Sequence, residues 1–275
     1  MNLILLFDSD FISPNRVHLS GRRFTHIQDI LKAECSQILS VGKINGLMGQ
    51  GTLVSKKTEQ NLSFPRKRES IYLELDVKLD TKPPEALALT LILALPRPPM
   101  LKRILFSSAQ LGIKKIIILN FNRVEKSFWN SSSLKPQAIT EQLVLGLEQA
   151  KDTVMPEVIL KKRFKPFVQD ELPALIKGKL ALVAHPIEKI FKSDQGPVTS
   201  DQNRTQSPIW KKNSPCSWFH VPGSFKELIL VIGPEGGIID YEIELLKAAG
   251  CRPIDLGPRI LRTETVLPYI VGRLF

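Results

Sequence analysis

Arg259, Arg262, Thr263, Glu264 and Thr265 put two guanidiniums, two hydroxyls and a carboxylate into seven residues, immediately before an apolar helical pattern. Such a set can stabilise an anion that develops on a substrate and can accept or steer a proton. The same residues would also serve as a plain helix start, with Thr263 or Thr265 as N-cap and both arginines in water. Upstream, Gly233-Pro234-Glu235-Gly236-Gly237 follows the apolar run Leu228 to Ile232. Glycines there remove side-chain bulk and leave amide N–H groups free, so the backbone can come close to a nucleotide-like ligand. The stretch matches neither GxGxxG nor a Walker loop, and no Lys-Ser/Thr follows it, which argues against a phosphate cradle. A strand-to-helix turn capped by Asp240, with Glu242 in the first helical turn and Gly250 at the end, accounts for the same pattern.

Both stretches must be positioned by the elements around them. Apolar runs at Leu87 to Leu95, Ile116 to Leu119, Leu180 to Ala184, Leu228 to Ile232 and Pro253 to Leu256 alternate with helical patterns at Met100 to Leu111, Lys135 to Gln149, Tyr241 to Ala249 and Thr265 to Leu274. Continuous rather than alternating apolarity marks strands covered on both faces, so the expectation is an α/β fold with a parallel sheet. Such sheets bind ligands at the carboxyl ends of their strands, where both chemical stretches fall. The N-terminal part reads differently. Phe24, Ile27, Ile30 and Leu31 recur at helical spacing and predict one helix from Gly21 to Ala33. From Ser40 to Val77, short strand-like pieces are broken by Gly42, Asn45-Gly46 and Gly49-Gln50-Gly51, which is hairpin chemistry and predicts a small antiparallel barrel. Thr81-Lys82-Pro83-Pro84 interrupts regular structure and divides the chain into domains 1–80 and 81–275. The basic tract Phe64 to Glu69 and the Ser, Pro, Asn and Gln-rich stretch Ser193 to Ser224 read as inserted loops.

Composition bounds the partners. The 275 residues carry a formal net charge of +11; residues 1–80 have 11 Lys and Arg against 9 Asp and Glu, and residues 81–275 have 27 against 18. The larger, more basic part favours a polyanionic partner. Cys35, Cys216 and Cys251 are odd in number and without CxxC spacing, which supports neither a disulfide framework nor a metal site and fits a reducing, cytoplasmic setting. Asp8 and Asp10 interrupt the apolar start too early for an export signal, and no apolar run approaches a membrane span. Arg22, Arg23 and Lys32 are the candidate RNA-binding cations of the N-terminal segment, because a phosphate contact needs only a placed cation. His18 and His26 lie beside them, and Trp129, Trp210 and Trp218 lie in polar, irregular context where partial burial is the default and base stacking the alternative.

GPEGG followed by Leu256-Gly257-Pro258-Arg259-Ile260-Leu261-Arg262-Thr263-Glu264-Thr265, with Leu93-Ala94-Leu95-Pro96, Gln110-Leu111-Gly112, Glu148-Gln149-Ala150, Val154-Met155-Pro156-Glu157 and Ala184-His185-Pro186, resembles the ribosomal small subunit methyltransferase E family of the SPOUT superfamily. The resemblance spans nearly the whole chain. It implies a PUA-like β-barrel that helps grip RNA, then an α/β domain with a trefoil knot, assembled as a homodimer. It also implies transfer of a methyl group from S-adenosylmethionine to N3 of a uridine in 16S ribosomal RNA, without a metal. On that resemblance the cofactor meets Leu93, Leu95, His185, Ile232, Gly233, Gly236, Gly237, Leu256, Gly257, Ile260, Leu261 and Thr265. Arg262, Glu264 and Arg259 are then the catalytic candidates. The chain departs from the family pattern at Gln110, where an acidic residue is usual, at Asp152, where an Arg is usual, and in a final helix poor in alanine that carries Pro268 near its start. Two rivals share the fold: an RNA-binding ribosome-assembly factor without activity, and a ribose 2'-O-methyltransferase.

Overall fold

The computed structural model describes residues 2–61, 68–185, 226–257 and 259–275. It divides into two compact units, Met1–Ala86 with Thr140–Met155, and Leu87–Ile139 with Pro156–Phe275. The basic tract 64–69 falls mostly, and 193–224 with Trp210 and Trp218 entirely, outside the described residues.

In the first unit, β1 (Ile4–Leu6), β2 (Phe11–Ser13), β3 (Arg16–Leu19), β4 (Ile38–Lys43), β5 (Met48–Asn61) and β6 (Arg68–Thr81) form one sheet in the order β1-β4-β5-β6-β3-β2. Side chains alternate across it: Val17, Leu19, Leu73, Leu75 and Val77 join Ile4 and Leu6 in the core, while Arg16, His18, Tyr72 and Asp76 face outward. Each buried aliphatic residue of this kind contributes on the order of 1.5–3 kcal/mol. The sheet is mixed rather than wholly antiparallel, because β1 pairs with β4 in parallel. Two strands and a helical segment separate that pair in the chain, so no hairpin dictates its direction. β5 and β6 are longer than the short pieces expected, pairing from Met48 opposite Thr81 to Asn61 opposite Arg68.

The helix expected over Gly21 to Ala33 is shorter: an α-helix at Gly21–Thr25 runs into a π turn at His26–Ile30, and Lys32 then takes a φ of 49° that ends it. Residues 140–155 complete the unit although they come later in the chain. The Glu148 carbonyl accepts the N–H groups of Asn2 (3.1 Å) and Leu3 (3.0 Å). The Thr153 hydroxyl donates to the Gly46 carbonyl at 2.6 Å, and the Asn45 N–H donates to the Thr153 carbonyl at 2.8 Å.

The second unit is the expected α/β layer structure. β7 (Leu87–Ala94), β8 (Ile113–Leu119), β9 (Glu157–Lys161), β10 (Leu180–Ala184), β11 (Leu228–Ile232) and β12 (Arg252–Ile254) pair in parallel in the order β12-β10-β11-β7-β8-β9. All five residues of β11 are buried, as a central strand with covered faces requires. Helices at Pro98–Gln110, Asp240–Ala248 and Thr263–Leu274 fall within two residues of their expected starts, as does the helix Pro136–Ala150, most of which belongs to the first unit. The last helix packs against the 98–110 helix and β11. Pro268 sits at its sixth residue, inside the helix rather than in its first turn. It therefore leaves the carbonyl of Glu264, four residues back, without a helical N–H.

Candidate functional site

Strand register brings the two sequence motifs to one edge. Leu93 on β7 pairs with Ile232 on β11, Ile232 with Ala184 on β10, and Ala184 with Ile254 on β12, so four strand ends form one lateral row. Leu95, His185, Gly233 and the 255–257 segment all leave from that row on the carboxyl side. β11 and β12 are separated only by β10, which places the starts of the two motifs two strand spacings, about 10 Å, apart. Leu93, Leu95 and Ile232 are buried, and His185 is 7% exposed with its N–H donating to the Ile254 carbonyl at 3.1 Å. The edge is apolar, and among the described residues no cluster of His, Cys, Asp or Glu could hold a metal ion.

The glycine-rich bend is built by close packing. A Cβ on Gly233 would lie 2.5 Å from Cγ1 of Ile238, and one on Gly236 would lie 3.3 Å from Cβ of Arg123. Gly237 has a φ of 81°, and its N–H closes the turn on the Pro234 carbonyl at 2.8 Å. Glu235 accepts the backbone N–H of Arg97 at 3.1 Å, tying the bend to the start of the 98–110 helix. Arg123, in the segment after β8, donates from Nη1 to the Gly236 carbonyl at 2.6 Å. Neighbouring Asn122 donates its N–H to Oε1 of Glu242 at 2.7 Å. Sequence reading missed Asn122 and Arg123, because nothing local pairs them with residues more than a hundred positions away. It also placed the helix cap on Asp240, whereas the N-cap is Ile239 and Asp240 is the first helical residue.

Glu242 is 3% exposed, and burial holds its carboxyl above the ordinary range against the N–H groups of Asn122 and Ile239 and the charge of Arg123. A carboxyl whose folded pKa is raised contributes stability below its unfolded pKa and loses it as pH rises through the folded value. Glu242→Gln removes that titration. The Tm of the variant minus that of the wild type is therefore expected to rise as pH increases from the unfolded carboxylate value through the folded one. A difference flat with pH would show that this carboxyl titrates normally.

The second motif is more open. The 255–257 segment turns on Gly257, whose φ is 103° and whose N–H donates to Oδ1 of Asp255 at 3.1 Å. The Leu256 carbonyl accepts from the Tyr269 hydroxyl at 3.3 Å, and Pro258 lies outside the described residues. Ile260 is 98% exposed, Leu261 half-buried, and Arg259 and Arg262 exposed without a carboxylate partner among the described residues. Neither Thr263 nor Thr265 caps the last helix. Arg262 holds the N-cap position through its backbone, its carbonyl accepting the N–H groups of Thr265 (2.8 Å) and Val266 (3.1 Å), while Thr263 is buried and Thr265 exposed. Glu264 is mostly covered and faces Arg103 at 3.9 Å.

The N-terminal cations differ in what they face. Arg23 donates to both carboxylate oxygens of Asp10 (2.5 and 2.7 Å) and to the Leu5 carbonyl at 2.8 Å. Arg22 donates to Oε2 of the buried Glu148 at 2.7 Å. Lys32 is exposed with no ion pair among the described residues. His26 is partly buried, and that burial lowers its pKa. Asp152 is buried in the first unit and accepts the Val154 N–H at 2.9 Å, while Gln110 ends its helix exposed. Cys35 and Cys251 are free thiols, and burial pushes Cys251 up to about 12, so that thiol stays protonated.

The family model described as an RNA methyltransferase domain matches residues 83–274. A ribosomal RNA small subunit methyltransferase E from Treponema pallidum is 26% identical over 264 residues, covering 95% of this chain and 86% of that protein. A putative methyltransferase from Legionella pneumophila, solved with bound S-adenosylmethionine, superposes with a TM-score of 0.63 at 20% identity and covers 100% of this chain and 97% of that one. A ribosomal RNA small subunit methyltransferase E from Neisseria gonorrhoeae, bound to S-adenosylmethionine, gives 0.61 at 18% identity, covering 99% and 95%.

Proposed function

The chain belongs to the RNA methyltransferase domain family, and from that premise we propose that it transfers a methyl group from S-adenosylmethionine to N3 of a uridine in 16S ribosomal RNA. The single observation that carries the reading is the lateral row Leu93, Ile232, Ala184 and Ile254, from which the glycine bend and the arginine segment both depart. The residues present suit this cofactor. An apolar edge of backbone, Gly233, Gly236 and Gly237 with no side chain, and no Lys-Ser/Thr pair fit a nucleoside with an aliphatic chain better than a phosphate.

When bound, S-adenosylmethionine supplies an electrophilic methyl on a sulfonium. Leu93, Leu95, His185, Ile232 and Gly233 to Gly237 hold it from the strand ends, and Leu256, Gly257, Ile260, Leu261 and Thr265 from the second motif. That Ile260 is almost wholly exposed in the isolated chain agrees with a residue whose cover is a ligand or a second protomer. Uridine N3 carries a proton, so transfer requires its loss and a place for the resulting charge. Arg262 stabilises that anion, Arg259 adds to the positive field, and Glu264 accepts the proton or orients a neighbouring guanidinium.

The remaining parts of the reading are a trefoil knot formed by the last segments, a PUA-like role for the first unit in gripping RNA through Lys32 and its neighbours, and a homodimer in the cytoplasm. No helix among the described residues is long and apolar enough to cross a membrane. The decisive experiment incubates the enzyme and S-adenosylmethionine with small ribosomal subunits from a strain that lacks it, then identifies the modified nucleoside by mass spectrometry. N3-methyluridine is the expected product. A ribose-methylated nucleoside would move the chain to the sugar-modifying relatives, and cofactor binding without any product would leave an assembly factor.

A further inference from the structure

The sheet edge that carries the cofactor row continues past β7 into a second surface. Leu93 pairs with Ile118 and Ala94 with Leu119 on β8, and Leu119 pairs with Lys161 on β9, so the segments after β8 and β9 leave on the carboxyl side as well. They are locked to each other. Phe121 is 1% exposed and packs on Phe164 with ring centroids 4.8 Å apart, and the Asn120 N–H donates to the Lys161 carbonyl at 3.0 Å. On this base stand Lys126, Lys162, Arg163 and Lys165, all exposed and none in an ion pair among the described residues. Of the carboxylates nearby in the chain, Glu171 pairs with Lys161 at 2.7 Å, while Glu125, which accepts from the Ser127 hydroxyl at 2.7 Å, and Asp170 are exposed. Amid the cations lies Trp129, half-buried, its indole N–H donating to Oδ1 of Asn120 at 2.8 Å and its ring facing the Lys162 ammonium at 5.9 Å.

We infer that this surface is the track for a single-stranded stretch of the substrate RNA next to the methylated nucleotide, with Lys126, Lys162, Arg163 and Lys165 on phosphates and Trp129 stacking a base. Exposed cations that outnumber the carboxylates beside them favour a polyanion, and an oriented indole among them is the combination that holds unpaired nucleic acid. Position agrees with this. β8 and β9 lie one and two strand spacings beyond β7, so the track begins about 5–10 Å from the cofactor row. This inference rests on the methyltransferase reading, and it adds a location and a strandedness for the substrate.

The test uses the full chain, with small ribosomal subunits for turnover and a single-stranded RNA oligonucleotide for binding. Lys162→Ala/Arg163→Ala/Lys165→Ala is expected to raise the KM for subunits at least roughly tenfold near 0.15 M salt and to flatten the log–log salt dependence of oligonucleotide binding by about 2. S-adenosylmethionine affinity stays at the wild-type value. Trp129→Ala is expected to weaken oligonucleotide binding roughly 5- to 150-fold, with Trp129→Phe restoring much of it. Unchanged KM and salt slope in the triple variant, with normal cofactor binding, would overturn the track. Loss of cofactor affinity in these variants would also overturn it, since the residues would then be supporting the fold. A wild-type enzyme that binds S-adenosylmethionine and oligonucleotide but methylates nothing would sink the methyltransferase reading while leaving the track standing.

Discussion

Arg262→Ala is expected to lower kcat for methyl transfer by roughly 10²- to 10³-fold, the usual effect of removing one donor from a site that stabilises developing charge. The cofactor's Kd and the melting temperature should both stay close to wild type. The structure separates these outcomes because the helix start depends on the backbone of Arg262, whose carbonyl takes the Thr265 and Val266 N–H groups, and alanine keeps that carbonyl. Its guanidinium is exposed and holds no carboxylate among the described residues, so no internal ion pair is lost. Arg262→Lys keeps a charge but loses the planar fork, and should fall between the two. Single-turnover rates at saturating cofactor and subunits give the comparison. Equal rates in Arg262→Ala would remove this residue from the chemistry and leave Arg259 as the remaining guanidinium of the motif.

Gly49→Ala is expected to destabilise the first unit by about 3 kcal/mol, at the upper end of what forced overpacking costs. A Cβ at this position would lie 1.9 Å from the Lys78 carbonyl oxygen and 2.9 Å from the Leu79 Cα. Both are backbone atoms of the paired strand β6, so no side chain can rotate away, and the β5–β6 register must open where it begins. Gly178→Ala is a useful contrast. It has open space around it but a φ of 76°, and should cost only about 1 kcal/mol from backbone strain. Urea unfolding of the two variants against the wild type reads both values. A Gly49→Ala protein as stable as the wild type would mean that β5 and β6 do not approach this closely.

The sequence made the second unit legible because its strands are long apolar runs, and the row that joins them follows once the sheet is parallel. β9 escaped notice because Glu157 and Lys161 bracket only three apolar residues at the sheet's edge, where one side need not be buried. The helical pieces between Phe164 and Ile176 escaped it because Pro166 and Pro173 break the periodicity and a π turn joins them. The chemical motifs were visible as dense local clusters. Asn122 and Arg123 were not, since their meaning lies in contacts across the fold. The same holds for Arg22 and Arg23: local reading sees two cations, whereas the fold reveals that one faces Glu148, distant in the chain, and the other is fully engaged by Asp10 and Leu5. Buried acids decide which surface cations remain available, and one of them lies 126 residues away in the chain.

The return of residues 140–155 to the first unit bears on how the protein is made. Until that stretch emerges from the translating ribosome, the amides of Asn2 and Leu3 and the guanidinium of Arg22 have no Glu148 to meet, and Asn45 and Gly46 have no Thr153. At ordinary elongation speeds, the roughly 70 residues between Ala86 and Met155 take about 3–14 s to synthesise. The amino-terminal sheet must wait through that interval with its final brace missing, so a nascent chain stalled near residue 90 should be cut by protease in β1 far more readily than one released past residue 160.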